Sequence, residues 1–214
     1  YKAKDEGRNT FRFYTEDMTL EIMQKVELEN KLKEAIQDDD FLVFFQPQYN
    51  AKTNRIIGME ALVRWLDKNN TLISPMEFIP MANETGLIVE LDRLVMNKAL
   101  KQFSIWKQKN LNPGSLSLNL SMKHLKSDDF IEYLKHAIIT NNCSLNDIEL
   151  EIIEDEIMED PLGSIEKLKK IQSCGVKISI DDFGTGQSSL SYLKNLPIDK
   201  LKIDRAFIKD LPDD

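Results

Sequence analysis

Only two cysteines and two histidines occur among the 214 residues, and each shortage removes a class of chemistry. Cys143 sits in a polar loop and Cys174 precedes Gly175 at a helix end, so neither a disulfide framework nor a thiolate metal site is expected. With so little nitrogen and sulfur on hand, zinc is disfavoured as well. Long apolar runs are missing too. The longest, Phe41 to Phe45, has the length of a strand, so no membrane span is predicted and no secretory leader is read at the start. A soluble, cytoplasmic chain is expected, with any membrane anchor of a parent protein lying upstream of Tyr1. Net positive charge is missing as well: 36 acidic against 28 basic residues give −8. That balance excludes general affinity for a nucleic acid polymer, which requires a positive field. An anionic ligand would need local help from a divalent cation and a few placed cations such as Arg64 and Lys202.

What is present is a repeated pattern of period two. Met59-Glu60-Ala61-Leu62-Val63-Arg64, Leu116-Ser117-Leu118-Asn119-Leu120-Ser121, Ile148-Glu149-Leu150-Glu151-Ile152, Val176-Lys177-Ile178-Ser179-Ile180-Asp181 and Leu201-Lys202-Ile203-Asp204 all alternate polar with apolar residues. Amphipathic helical stretches separate most of these strands, which points to parallel strands joined by crossover helices. A parallel sheet with one polar face is best closed into a barrel. Its apolar set faces the helices, and its polar set points inward and gathers at one mouth. The fold class is therefore α/β, a TIM-like (β/α)8 barrel. Its first strand, Phe41 to Pro47, turns through Asn50 to Asn54 and pairs antiparallel with the second. The mouth would hold Glu60, Asn119, Glu151, Asp181, Asp182 and Lys202.

The chain divides into three parts: residues 1–15, which read as the tail of something upstream; residues 16–40, a linker and first helix; and the barrel, residues 41–214. Ile22, Val26, Leu28, Leu32, Ala35 and Ile36 form the helical stripe of the second part, which Asp38-Asp39-Asp40 stops. Ser74 and Pro75 start a short helix, and residues 90–109 form a long one ending near Asn112-Pro113-Gly114. Further helices are predicted over residues 123–140, 161–173 and 188–195. Six strands are counted by Asp204. A closed barrel needs two more βα units of about 30 residues each, so the barrel is expected to be C-terminally incomplete in this sequence.

Four carboxylates at one mouth, with only Lys202 and Arg64 as cations, would repel or hold protons unless compensated. Oxygen ligands with one amide, Asn119, suit a hard cation such as Mg2+ or Mn2+. Structural salt bridges at the strand ends are the alternative. The two glycines of Asp181-Asp182-Phe183-Gly184-Thr185-Gly186 allow a tight loop close to a ligand. Gln46 either hydrogen-bonds a planar base or merely precedes the Pro47 that ends the strand. Arg64 either clamps a phosphate or pairs with a mouth acid. His124 and His136 are expected on one helix surface without a role, and Trp65 and Trp106 in the packing. The acids from Glu154 to Glu159 read mainly as solvated faces or helix caps.

At these residues the sequence resembles a family. Glu60-Ala61-Leu62-Val63-Arg64-Trp65 looks like the signature of EAL domains, the cyclic-di-GMP-specific phosphodiesterases. The likeness extends through Phe45-Gln46-Pro47, Phe78-Ile79-Pro80, Glu84-Thr85-Gly86-Leu87-Ile88, Asn119-Leu120-Ser121, Glu151-Ile152-Ile153-Glu154, Asp181 to Gly186 and Lys202-Ile203-Asp204-Arg205, and covers residues 32–211. Residues 1–14 resemble the end of a GGDEF diguanylate cyclase domain, which implies a GGDEF–EAL parent. The resemblance implies hydrolysis of cyclic-di-GMP to linear pGpG by metal-activated water. It makes Glu60, Asn119, Glu151 and Asp181 metal ligands for Mg2+ or Mn2+, with Asp182 serving a second ion. By the same likeness Lys202 holds the attacking water and Glu154 anchors the glycine loop, while Gln46, Leu62 and Arg64 contact the dinucleotide. A homodimer through barrel-side helices is implied as well. Gln187 stands where an aromatic is common, and Ile153 replaces the usual Thr. The family also expects a catalytic Glu on the seventh strand and a Gln on the eighth, and without them this stretch alone is expected to be weak or inactive. The rival readings are a regulatory module that binds cyclic-di-GMP without cleaving it and a purely structural barrel.

Overall fold

The computed structural model describes residues 16–158, 161–184, 195–207 and 209. The expected tail at residues 1–15 and most of the expected helix at residues 188–195 lie outside these. The elements are α1 (Glu16–Asp38), β1 (Phe41–Asn50), β2 (Arg55–Leu66), β3 (Leu72–Ile73), α2 (Pro75–Thr85), α3 (Ile88–Gln108), β4 (Ser115–Asn119), α4 (Met122–Lys126), α5 (Phe130–Thr140), β5 (Ile148–Ile153), α6 (Glu154–Met158), α7 (Pro161–Ser173), β6 (Lys177–Phe183) and β7 (Lys200–Ile203). No described helix is long and apolar enough to cross a membrane.

One sheet runs in the order β1-β2-β4-β5-β6-β7, with β3 attached to β2. The β1–β2 pair is antiparallel and every later neighbour along this order is parallel, as the alternation and the intervening helices predict. In a flat sheet β1 and β7 would stand about 24 Å apart, five spacings of ~4.8 Å. Instead Lys200 Nζ of β7 lies 3.3 Å from Gln48 Oε1 of β1, and Lys202 Nζ lies 3.1 Å from Glu60 Oε2 of β2. The sheet therefore curls around a polar interior, and the barrel reading holds.

Apolar residues of each strand point outward. Leu116, Leu118, Ile148, Leu150, Ile152, Ile178 and Ile180 are buried beneath α3, α5 and α7 with Phe103, Phe130, Leu134 and Leu168. Full burial of each such side chain contributes about 1.5–3 kcal/mol. A second cluster packs β1 and β2 against α1, α2 and α3. Its centre is a triangle of Phe41, Trp65 and Phe78 with ring centroids 5.6–5.7 Å apart. The second half of α1 joins it: Leu32 and Ala35 are buried, whereas Ile22 and Val26 are exposed.

Several details differ from what the sequence predicts. Pro47 does not end β1, which continues to Asn50. An edge strand tolerates a residue without an N–H, and a register shift follows between Gln48 and Tyr49. The helix expected over residues 123–140 is two helices. Ser121 (φ −72°, ψ 149°) and Ser127 (φ −62°, ψ 144°) are both extended and bound the short α4 on either side. His124 is consequently buried beside Phe130 and Tyr133, not on a surface. Gly114, entering β4, has φ +74°, and a Cβ there would lie 2.0 Å from the Ile57 carbonyl oxygen, so only glycine lets β4 approach β2.

Candidate active site at the barrel mouth

Period two turns Glu60, Asn119, Glu151, Asp181 and Lys202 inward, and register decides which of them meet. Gln46 stands opposite Glu60, Asn119 opposite Glu151, and Asp181 opposite Ile153, one rung above. The structure brings Glu60, Glu151 and Asp181 together, with one carboxylate oxygen of each within 4.8 Å of the others. Lys202 Nζ donates to all three, at 3.1 Å to Glu60, 2.7 Å to Asp181 and in a short contact to Glu151. Asn119 Nδ2 donates to Glu60 Oε1 at 3.3 Å. The ammonium thus stands where three carboxylates converge, the position a bound cation could share or take.

Glu151 is 1% exposed, and its Oε1 has no hydrogen-bond partner among the described residues. Burial, then the neighbouring Glu60 charge, pushes its carboxyl up to about 7 against the pull of Lys202. Lys202 responds oppositely. Its burial disfavours the charge, but the hydrogen bonds to Asp181 and Glu151 and the surrounding carboxylates outweigh that, so it stays protonated well above the ordinary lysine range. Asp182 is raised by burial and by Asp181 and Asp204.

The loop after β6 is held from below. Glu154, 2% exposed at the start of α6, accepts the Gly184 N–H on Oε2 at 2.8 Å. Asp182 takes φ 53° and donates its N–H to Asp181 Oδ1 at 2.9 Å. Left-handed backbone at a non-glycine residue stores strain of about 1–2 kcal/mol, which such a loop holds by its surroundings.

The remaining candidates from the sequence lie at the rim. Arg64 donates Nη1 to the Val63 carbonyl at 2.7 Å and stands 5.5 Å from the centre of the Phe44 ring. No ion pair of Arg64 to a mouth acid is present among the described residues. Gln46 is exposed. A cavity of about 270 Å3 opens between the mouth and helices α2 and α3, and Leu62, Arg64, Asn119 and Glu151 line it from the barrel side.

Sequence reasoning missed a second polar layer beneath the mouth and the anchors behind Asn119. Lys200 Nζ pairs with Glu149 Oε1 at 2.5 Å, and Gln48 Nε2 donates to Ser117 Oγ at 3.4 Å. The alternation contained this layer, since Ser117, Glu149 and Lys200 share the inward parity of Asn119, Glu151 and Lys202. Behind Asn119, Asp92 and Glu156 accept backbone N–H groups of the turn after β4. Asp92 is an acid within the apolar stripe of α3, and that was its only signal.

The fold and the site define a curled, mostly parallel α/β barrel that gathers carboxylates and a lysine at the C-terminal ends of its strands. The chain belongs to the EAL domain family, whose sequence model matches residues 29–214; the resemblance read over residues 32–211 is borne out. It is 36% identical over 214 residues to the bifunctional diguanylate cyclase/cyclic di-GMP phosphodiesterase MucR of Pseudomonas aeruginosa, covering 100% of this chain and 31% of MucR. It is 37% identical over 211 residues to the signaling protein YkoW of Bacillus subtilis, covering 99% of this chain and 26% of YkoW. The chain therefore spans about a third or less of these relatives. Among solved structures, the cyclic-di-GMP complex of the PaMucR phosphodiesterase superposes with a TM-score of 0.82 at 36% identity, over 88% of this chain and 76% of that one. The EAL enzyme Bd1971 with cAMP and cyclic-di-GMP bound gives 0.84 at 32% identity, over 91% and 54%.

Proposed function

We propose that this chain belongs to the phosphodiesterase domain of a signalling protein that, in its full-length form, hydrolyses cyclic-di-GMP to linear pGpG. The observation that carries the reading is the convergence of Glu60, Glu151 and Asp181 within 4.8 Å, with Glu151 Oε1 buried and unpartnered among the described residues. Buried carboxylate oxygen without a partner is costly unless a proton or a cation satisfies it. An all-oxygen donor set with one amide fits Mg2+ or Mn2+, so Glu60, Asn119, Glu151 and Asp181 would hold one such ion and Asp182 would serve a second. When bound, such ions supply Lewis-acid charge that activates water and offsets the phosphate charge.

The chain's own residues do the rest. Lys202, held protonated by the carboxylates around it, would serve as the donor that holds and orients the attacking water. Glu154 fixes the Gly184 loop above the site, and Arg64 would meet the phosphate and Gln46 the base, with Leu62 at the level between them. The likeness to MucR runs from residue 1 through the whole chain, which supports an upstream GGDEF domain in the parent.

Full-length protein containing this chain, supplied with Mn2+ or Mg2+ and cyclic-di-GMP, is expected to release pGpG, resolved by liquid chromatography. Glu60→Ala should lower the rate by about 100-fold or more. Tight binding of intact cyclic-di-GMP that is indifferent to metal would replace this reading with the non-catalytic sensor.

A further inference from the structure

We propose that Asp92, on helix α3 outside the barrel, is a positioning residue that sets the carboxamide of Asn119 through its bonds to Ser121. Its functional consequence rests on the proposed metal-dependent reading of the mouth, whereas the positioning itself rests on geometry alone.

Asn119 ends β4, and its side chain makes one described hydrogen bond, to Glu60. The exposed amide is therefore aimed chiefly by its backbone. The three peptide N–H groups that follow are each fixed by a different element. Leu120 N donates to the Glu151 carbonyl of β5 at 2.9 Å, Ser121 N to Asp92 Oδ2 of α3 at 3.1 Å, and Met122 N to Glu156 Oε2 of α6 at 3.1 Å. Asp92 Oδ2 also accepts the Ser121 hydroxyl at 2.6 Å, and that hydroxyl oxygen caps α4 by accepting His124 N at 3.3 Å. Charge-assisted bonds of this kind are about twice as strong as neutral ones, and the Asp92 side chain is only 12% exposed.

Asp92 also faces a buried ring, that of His124. Arg93 Nε donates to His124 Nε2 at 3.2 Å, which leaves the ring proton on Nδ1. Nδ1 is buried, faces Asp92 Oδ2 from 3.5 Å and has no hydrogen-bond partner among the described residues. Arg93 is fixed by its Nη2, which donates to both carboxylate oxygens of Asp129 at 2.7 and 2.8 Å, and by the face of Tyr133 at 4.6 Å. A carboxylate and a hydroxyl thus run from α3 to the turn that carries Asn119, with the buried ring of His124 packed beside them. Residues that orient a metal ligand typically change metal affinity about 10–100-fold when removed.

The test uses full-length protein labelled with 15N-asparagine, the Asn119 side-chain signal being identified by its loss in Asn119→Ala. Asp92→Ala and Ser121→Ala are expected to shift that signal in metal-free protein and to weaken Mn2+ binding about tenfold by calorimetry. Asp92→Asn, which keeps an acceptor, should restore affinity to within about threefold. In an Asn119→Ala background, Asp92→Ala should cost less than about twofold more. An unmoved Asn119 signal, or a loss of Mn2+ affinity that is as large in the Asn119→Ala background, would overturn the proposal and leave Asp92 a purely structural residue. Wild-type protein that binds no Mn2+ would sink the metal reading instead, and the Asn119 signal would still decide the positioning.

Discussion

Glu151 is the residue at which stability and chemistry oppose each other. Its carboxyl is raised from the ordinary 4.5 to about 7, chiefly by burial. The folded state therefore binds more protons than the unfolded chain between those values, and stability falls as pH rises through that window. A tenfold change in proton affinity is worth about 1.4 kcal/mol, so the penalty at pH 8 reaches at most about 3 kcal/mol. Glu151→Gln is accordingly expected to lie within about 1 kcal/mol of wild type at pH 5 in urea unfolding and to gain a further advantage of about 1–3 kcal/mol over it by pH 8 without metal. Equal stability at both pH values would show that Lys202 already satisfies the carboxylate. The same titration links to metal, since a cation competes with the proton for this group. Mn2+ affinity should rise from pH 6 to pH 8, and calorimetry at pH 7 in buffers of different ionisation enthalpy should detect about half a proton released per ion.

At the scale of elements, the barrel strands were legible because alternation survives wherever one face is buried. Ser115–Asn119, Ile148–Ile153 and Lys177–Phe183 all begin within a residue of where the pattern starts. What escaped depends on tertiary contacts. Two residues of β3 hold no period, and the break between α4 and α5 lies at the extended backbone of Ser127, which no periodicity marks. The loop after β6 was read as tight and ligand-adjacent, and Gly184 shows why glycine is required there. Its φ is +97°, and a Cβ would lie 2.7 Å from ring carbons of Phe207. Phe207 is exposed and can swing away, so the backbone cost of about 1–2 kcal/mol dominates. Gly184→Ala should lower activity by about tenfold or more with a small loss of stability, and adding Phe207→Ala should not restore it. Recovery in the double variant, measured as pGpG release, would assign the defect to the ring instead.

Across the whole molecule, the barrel interior departs from the apolar layers that usually fill such a fold. Two polar layers are stacked, one at the mouth and one centred on Glu149 and Lys200. Sequence could not place Lys200 near Gln48, 152 positions away, because that chord exists only once the sheet has curled. Glu149 is buried, and Lys200 is its one described cation. Removing one partner of a buried pair leaves an uncompensated charge, whereas removing both can be neutral. Lys200→Met is therefore expected to destabilise the protein by about 2–4 kcal/mol, at the low end because the lysine side chain is 37% exposed. Glu149→Gln added to it should recover most of the loss, since the amide carries no charge and the Ser117 hydroxyl remains within reach. Urea unfolding at pH 7 of the two singles and the double measures the coupling directly. If the double variant were as unstable as the sum of the singles, the lower layer would act by packing alone, and the curl of β7 toward β1 would owe nothing to charge.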